Sequence, residues 1–511
     1  MMKLPGRSAG VRGAFWAVAA MVLVQAVVLG QPLQSVVNAL VDRADLGGAS
    51  VGVYIVEVET GQVLARRSET RGFLPASNMK LLTTGSALIT LGDDFKFRTV
   101  FEHDGRRLIV RGSGDPALGD PAILGLAAEP MTPDALLGAI AGAVAARGVS
   151  AVDEVVVDDR VFGRQFAHPT WPVEQLNRSY SAEVGGLNFH ANVLTVFADP
   201  GAGDAGSRPI LSVEPEAGWI EVENQATVVG KGRNTIWVAR PVPANRFTMY
   251  GNLRSRGSVD VSLHNPPEFA GMLVAQALLG AGVTVGGASG PGELDAALQR
   301  VRLVSEGEAL AKGEELVEVR TALRDVLRHC NVESQNLYAE ALLKRIGHEA
   351  TGESGTWSNG AAVMRMLIAD RVGAEAAAAV RIADGSGLSR GNLITPEVMG
   401  LWLRSLANDP ATREPFLASL PRPGEGTLRN RFGGVRIDTE VMGKSGYISG
   451  VYSLSGYVRD PETGRCVAYT VLVNDVPAGR YGANAKKLHE QIVDAVDDYL
   501  AAAASPVKVG G

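Results

Sequence analysis

Strand-forming sequence stands near both ends of this 511-residue chain, and that placement constrains the fold more than any other feature. Residues 50–58 (SVGVYIVEV) are apolar and rich in β-branched side chains, Glu59-Thr60-Gly61-Gln62 turns the chain, and residues 63–67 resume the pattern. That reads as a β-hairpin. Near the other end, residues 451–458 and 467–473 make a second pair across the turn Asp460-Pro461-Glu462-Thr463-Gly464. A closing helix is predicted after them, because Leu488, Ile492, Val496 and Leu500 recur every fourth residue on one face. Strands at both ends with helices among them predict an α+β domain whose sheet joins the termini and is interrupted by the middle of the chain.

The middle has its own character. Leu74-Pro75-Ala76 leads into a helix opened by Ser77 and carried by Met79, Leu82, Ala87 and Ile89 as far as Gly92. Short strand-like runs follow at 108–110 and 155–157, with one helical stretch at 134–147, and a glycine-rich segment at 280–292 precedes helix-like sequence at 321–330 and 337–346. The organisation expected is a discontinuous domain of residues 31–92 and 287–504, a β-rich insertion of residues 93–286 made of two nested subdomains, and a tail of residues 505–511. The length agrees with a prior of about three domains.

Charge and composition exclude several functions. Lys plus Arg number 49 against 55 Asp plus Glu, a net charge of −6, so no general basic field exists to hold nucleic acid. Histidines such as His103, His168 and His190 are scattered, and no metal-ligand spacing occurs, so neither a metal nor a cofactor is expected. Gly201, Gly203 and Gly206 spell G-x-G-x-x-G, but extended sequence follows them instead of the helix a dinucleotide site needs; they read as a hairpin loop. Cys330 and Cys466 can pair or stay reduced; two cysteines make no disulfide framework. Residues 1–30 hold Lys3, Arg7 and Arg12 ahead of an uncharged run at 14–30, the order of a secretory signal. The run also approaches the roughly 18-residue length of a membrane span, so it is either a cleaved signal or a retained anchor through which the chain associates with a membrane. Either way the bulk of the chain is expected in the periplasm or at the cell surface. Composition leaves a homo-oligomer open.

Ser77 and Lys80 are three positions apart, which on a helix brings a hydroxyl and an amine to one face. A serine hydroxyl becomes a nucleophile once a base takes its proton, and a lysine serves as that base when burial destabilises its ammonium. Ser505 and Lys508 repeat the spacing in a tail with Pro506 and no helix context. Taken alone, Ser77 also reads as a plain helix cap. Two further motifs change this: Ser334-Gln335-Asn336 at a junction between helices, and Lys444-Ser445-Gly446 ahead of a strand. Serine-acylating penicillin-recognising enzymes use S-x-x-K, S-x-N and K-T/S-G in this order.

Longer blocks extend the match: PASNMK at Pro75–Lys80, GSGDP at Gly112–Pro116, SQNLYAE at Ser334–Glu340, DGSGLSR at Asp384–Arg390, GTLR at Gly426–Arg429 and LSGY at Leu454–Tyr457. With these the chain resembles the class C low-molecular-mass penicillin-binding proteins, the D-alanyl-D-alanine carboxypeptidase/endopeptidase family. The resemblance implies a penicillin-recognising serine transpeptidase/β-lactamase-like domain, an antiparallel sheet flanked by helices, with extra domains inserted between the first two motifs. It implies a serine peptidase acting on peptidoglycan stem peptides and acylated by β-lactam antibiotics. By the same resemblance Ser77 is the nucleophile, Lys80 its base and Ser334 the relay to the leaving amine. Asn336 holds the substrate backbone, Lys444, Ser445 and Gly446 receive its terminal carboxylate, and Tyr447 lends a backbone N–H to the oxyanion. Asp158 is placed to pair with an amino group of the stem peptide and Arg390 to meet a carboxylate, a structural salt bridge being the alternative for each. Ser445 departs from the family's usual Thr but keeps the hydroxyl. The rival readings are a β-lactamase or esterase, and a non-catalytic wall-binding scaffold.

Overall fold

The computed structural model describes residues 32–504, so the expected signal or anchor at 1–30 and the tail at 505–511 lie outside the described residues. The chain divides into two compact units. Among the described residues, one takes the chain from Pro32 to Phe73, the stretch Ile394–Asn408 and the chain from Pro421 to Ala504; the other takes Leu74–Leu393 and Asp409–Leu420.

The first unit is built on a five-stranded sheet in the order Glu440–Ile448, Val451–Arg459, Cys466–Asn474, Ser50–Glu57, Val63–Arg67, with every neighbour antiparallel. The sheet joins the two ends of the chain as the strand patterns predict. All nine residues of Cys466–Asn474 are buried, which requires cover on both faces. Pro396–Asn408 packs on the central strands, and the closing helix Tyr481–Ala504 packs on Val451–Arg459. Leu488, Ile492, Val496 and Leu500 enter one core with Val53, Ile55, Leu454 and Val471, so the fourfold spacing is a packing stripe.

The second unit centres on the helix Met79–Leu91, in which every residue from Met79 to Leu88 is buried. A helix covered all round needs neighbours on all sides, and Leu323–Val332, Asn336–Thr351, Trp357–Arg371 and Arg413–Ser419 supply them. The rest of this unit is β-rich. Its largest sheet has five strands in the order Val301–Leu303, Glu154–Asp158, Arg107–Arg111, Lys96–His103, Glu314–Ala322. Pro133–Ala146 and Pro266–Gly280 pack against it, and smaller sheets follow between Val193 and Ser262. Two strands of the five come from beyond residue 286, where the return to helical structure is expected from the glycine-rich segment. Gly201, Gly203 and Gly206 lie between the antiparallel strands Val193–Asp199 and Ile210–Glu214, in the hairpin loop the sequence suggests.

Candidate active site

Ser77 sits in a 3₁₀ turn, Ala76–Asn78, that runs directly into the helix Met79–Leu91. Ala76 takes a left-handed backbone, φ 46°, a conformation that costs a non-glycine residue about 1–3 kcal/mol and collects at functional sites. The turn leaves Ser77 half-buried while Lys80, one turn on, is fully buried. The Lys80 ammonium donates to Ser77 Oγ at 3.1 Å, to Asn336 Oδ1 at 2.6 Å and to the Ser386 carbonyl at 3.1 Å. Burial pulls its pKa down to about 8, against the opposing pull of Cys330, Glu340 and Asp384. A lysine so placed is within hydrogen-bond reach of a serine hydroxyl and loses its proton near neutral pH, the two conditions for a general base.

Two segments close around this pair. Ser334 stands between the helices Leu323–Val332 and Asn336–Thr351 with φ 62°, a second non-glycine residue in the left-handed region. That conformation turns the chain so that Asn336 opens the next helix, with Oδ1 on Lys80 and Nδ2 donating to the Tyr180 carbonyl at 2.7 Å. The other segment is the loop through residues 384–392. Asp384 is buried and accepts from the backbone N–H of Gly387 (2.9 Å) and Ser389 (2.6 Å), from Asn392 Nδ2 (2.7 Å) and from the Trp171 indole (2.9 Å). Gly387 is required here twice: its φ is +86°, and a Cβ would stand 1.8 Å from the Ala76 carbonyl oxygen. The loop therefore presses on the turn that presents Ser77.

Ser77, Lys80, Ser334 and Asn336 thus belong to one unit. Asp158, at the end of the strand Glu154–Asp158, accepts from Arg160 at 2.8 Å and Arg111 at 2.8 Å; burial raises its pKa, but these two guanidinium groups outweigh it and hold the carboxylate below its usual range. That is the salt-bridge arrangement. Arg390 is exposed on the 384–392 loop. The third motif is in the other unit, on the strand Glu440–Ile448 at the edge of the five-stranded sheet. There Lys444 is fully buried with its ammonium on the Ser445 carbonyl at 2.8 Å, Ser445 is half-buried, Gly446 is opposite Ser453, and Tyr447 is 61% exposed beside Tyr452.

Sequence reasoning passes over four further groups. Glu340 and Lys344, one turn apart on the helix Asn336–Thr351, are both buried, as are Trp171 and Trp357. Glu340 accepts from the Trp357 indole at 2.7 Å and from the backbone N–H of Gly385 (2.9 Å) and Ser386 (2.8 Å). Burial and then Asp384 push its pKa up to about 7. The signal available for it is a single acid among Leu337, Tyr338, Ala339, Ala341, Leu342 and Leu343. Among the described residues no group of three or more His, Cys, Asp or Glu side chains is placed to hold a metal ion.

The crystal structure of penicillin binding protein 4 from Haemophilus influenzae superposes with a TM-score of 0.71 at 20% identity, over 91% of this chain and 99% of that one. This is the fold of the penicillin-recognising serine enzymes, an α+β architecture built on an antiparallel sheet. The profile of the D-Ala-D-Ala carboxypeptidase 3 (S13) family matches residues 33–498. A D-alanyl-D-alanine carboxypeptidase of Actinomadura is 33% identical over 455 residues, covering 84% of this chain and 79% of that protein. The D-alanyl-D-alanine carboxypeptidase DacB of Haemophilus influenzae is 23% identical over 460 residues, covering 86% and 88%. The chain belongs to the D-Ala-D-Ala carboxypeptidase 3 (S13) family, the serine D,D-peptidases.

Proposed function

We propose that this peptidase acts on peptidoglycan stem peptides through an acyl-enzyme on Ser77, removing the terminal D-Ala or cutting D-alanyl cross-links, and that β-lactams acylate the same hydroxyl. The reading is carried by one observation, the 3.1 Å contact between Ser77 Oγ and a buried Lys80 ammonium whose pKa is about 8. Neutral Lys80 takes the Ser77 proton as Oγ bonds to the carbonyl carbon of the penultimate D-Ala. The tetrahedral intermediate collapses with cleavage of the C–N bond, and the leaving amine takes a proton through Ser334. Water then attacks the ester, returning the hydroxyl to Ser77 and the peptide carboxylate to solution. Asn336 holds the base through Oδ1, and anchors the substrate backbone by exchanging its Nδ2 bond to Tyr180 for one to the peptide. By their motif, Lys444, Ser445 and Gly446 take the terminal carboxylate, and the N–H groups of Ser77 and Tyr447 take the oxyanion. Losing one oxyanion donor costs about 3 kcal/mol of transition-state stabilisation. Arg390 is the candidate for a second substrate carboxylate. Asp158 meets an amino group only by giving up one of its arginines.

The site of action proposed is outside the cytoplasm, in the periplasm or at the cell surface, as the sequence of residues 1–30 suggests. Among the described residues no helix is long and apolar enough to cross a membrane. The test is intact mass after incubation with benzylpenicillin, followed by peptide mapping. One penicilloyl group per chain on the peptide holding Ser77, absent in Ser77→Ala, is the expected result; undiminished labelling of Ser77→Ala would refute the nucleophile.

A further inference from the structure

Glu340 touches neither Ser77 nor Lys80, yet it is tied to both. Its donors, the indole of Trp357, the backbone N–H groups of Gly385 and Ser386 and the Ser386 hydroxyl, are uncharged. Once ionised, above about pH 7, a carboxylate held by neutral donors in a buried site keeps its field, because among the described residues no cation sits directly on it to cancel the charge. The segment it grips is the one that reads the nucleophile helix: the Ser386 carbonyl accepts from Lys80 at 3.1 Å, and the Gly385 carbonyl accepts from Thr83 Oγ1 at 2.7 Å. One residue further, Gly387 lies against the Ala76 carbonyl. Removing the carboxylate therefore releases two backbone N–H groups on one side of this segment and loosens its carbonyls on the other.

Building on the acyl-enzyme reading above, we propose that Glu340 is the positioning residue of the Ser77–Lys80 pair: it clamps the Gly385–Ser386 backbone against the ammonium and supplies the buried negative charge that balances it.

The charged and titratable groups facing Lys80 come from several elements. Cys330 lies on the helix Leu323–Val332, Glu340 on the helix Asn336–Thr351, and Asp384 on the loop, and all three favour the ammonium. Lys344 lies one turn beyond Glu340, and His168 reaches Asp384 and Lys344 electrostatically. Lys344 gives its ammonium to the carbonyls of Gln165 (2.8 Å), Val184 (3.3 Å) and Gly163 (3.5 Å) and lies over the ring of Trp357 at 4.0 Å. Glu340 and Asp384 thus stand as two acids among two buried lysines. Above about pH 7, where Glu340 is ionised, Glu340→Gln removes one negative charge from the surroundings of Lys80, which disfavours its ammonium.

The experiment is the rate of benzylpenicillin acylation, read by quench and intact mass from pH 5.5 to 9.5, for wild type, Glu340→Gln and Glu340→Asp. The wild-type rate rises with pH as Lys80 loses its proton. In Glu340→Gln that rise moves to lower pH by about 1 unit or more, and the plateau falls about tenfold or more because the clamp is broken. Glu340→Asp, which keeps the charge on a shorter arm, returns the rise toward its wild-type pH while the plateau stays low. A Glu340→Gln enzyme slower at every pH with the rise unmoved would overturn the proposal and leave a purely structural glutamate. A second measurement serves if Glu340→Gln acylates too weakly or folds poorly: thermal stability of Glu340→Gln in the wild-type and Lys80→Met backgrounds. The loss of Tm is expected to shrink when Lys80 is already neutralised, and equal losses in both backgrounds would sink the idea. That cycle needs no acylation, so a wild type that forms no adduct would count against the acyl-enzyme reading alone.

Discussion

Lys80 and Lys344 are both fully buried in the same unit, both owe lowered pKa values to burial, and both feel Glu340, yet their surroundings do different things. Around Lys80 the donors find a serine hydroxyl, an amide oxygen and one carbonyl; around Lys344 they find three main-chain carbonyls and an aromatic face. Burial, against the opposing pull of Glu340, brings Lys344 down to about 7, further than Lys80 at about 8. A depressed lysine is therefore no sign of a base until something with a removable proton lies within its reach. Lys344 instead staples 163–184, a crossing segment of the β-rich region, to the helix Asn336–Thr351.

Substitutions at these positions test the contrast. Lys80→Met is expected to cut benzylpenicillin acylation by about 1,000-fold or more, the range of a lost general base, with the folded CD spectrum retained; a rate within tenfold of wild type would erase the distinction. Lys344→Met should slow acylation by no more than about tenfold and show itself in the pH dependence of stability instead. The folded pKa of Lys344 lies near 7 and its ordinary value is 10.5. Between those values the unfolded chain holds a proton that the folded chain has shed, so stability rises with pH across the window. The full cost of the buried charge is felt below it. Each such lysine contributes a slope of at most about 1.4 kcal/mol per pH unit, and urea titrations at pH 7 and 9.5 should show Lys344→Met losing its share. The smallest change is Trp357→Phe, which keeps a ring beneath Lys344 but removes the N–H on Glu340. It should cost about 1–2 kcal/mol of stability, and no loss would mean that Glu340 finds another donor.

The elements within reach of local pattern are readable in the sequence. The hairpin at Ser50–Arg67, the closing helix with its stripe and the turn of helix that pairs Ser77 with Lys80 each depend on residues a few positions apart. The S-x-N junction is also local, although its left-handed Ser334 is not signalled by residue type. What escapes is long-range. Lys80 meets Asn336 256 positions away and Ser386 306 positions away. Periodicity cannot show that Glu340 turns inward to backbone N–H groups 45 and 46 residues on. The β-rich region is blurred for a related reason: its last two strands, Val301–Leu303 and Glu314–Ala322, lie beyond the glycine-rich segment that looks like its end.

The contact between Gly387 and the Ala76 carbonyl has a consequence in time. The turn that presents Ser77 is made early in synthesis, but the loop that presses on it and the carbonyl that receives Lys80 are about 300 residues downstream. Until the ribosome has passed residue 390, Ser77 and Lys80 lack the carbonyl and the loop that hold them in place. The supports of the Ser77–Lys80 pair are complete only when about three-quarters of the chain exists, and the motif at Lys444–Gly446 is made later still.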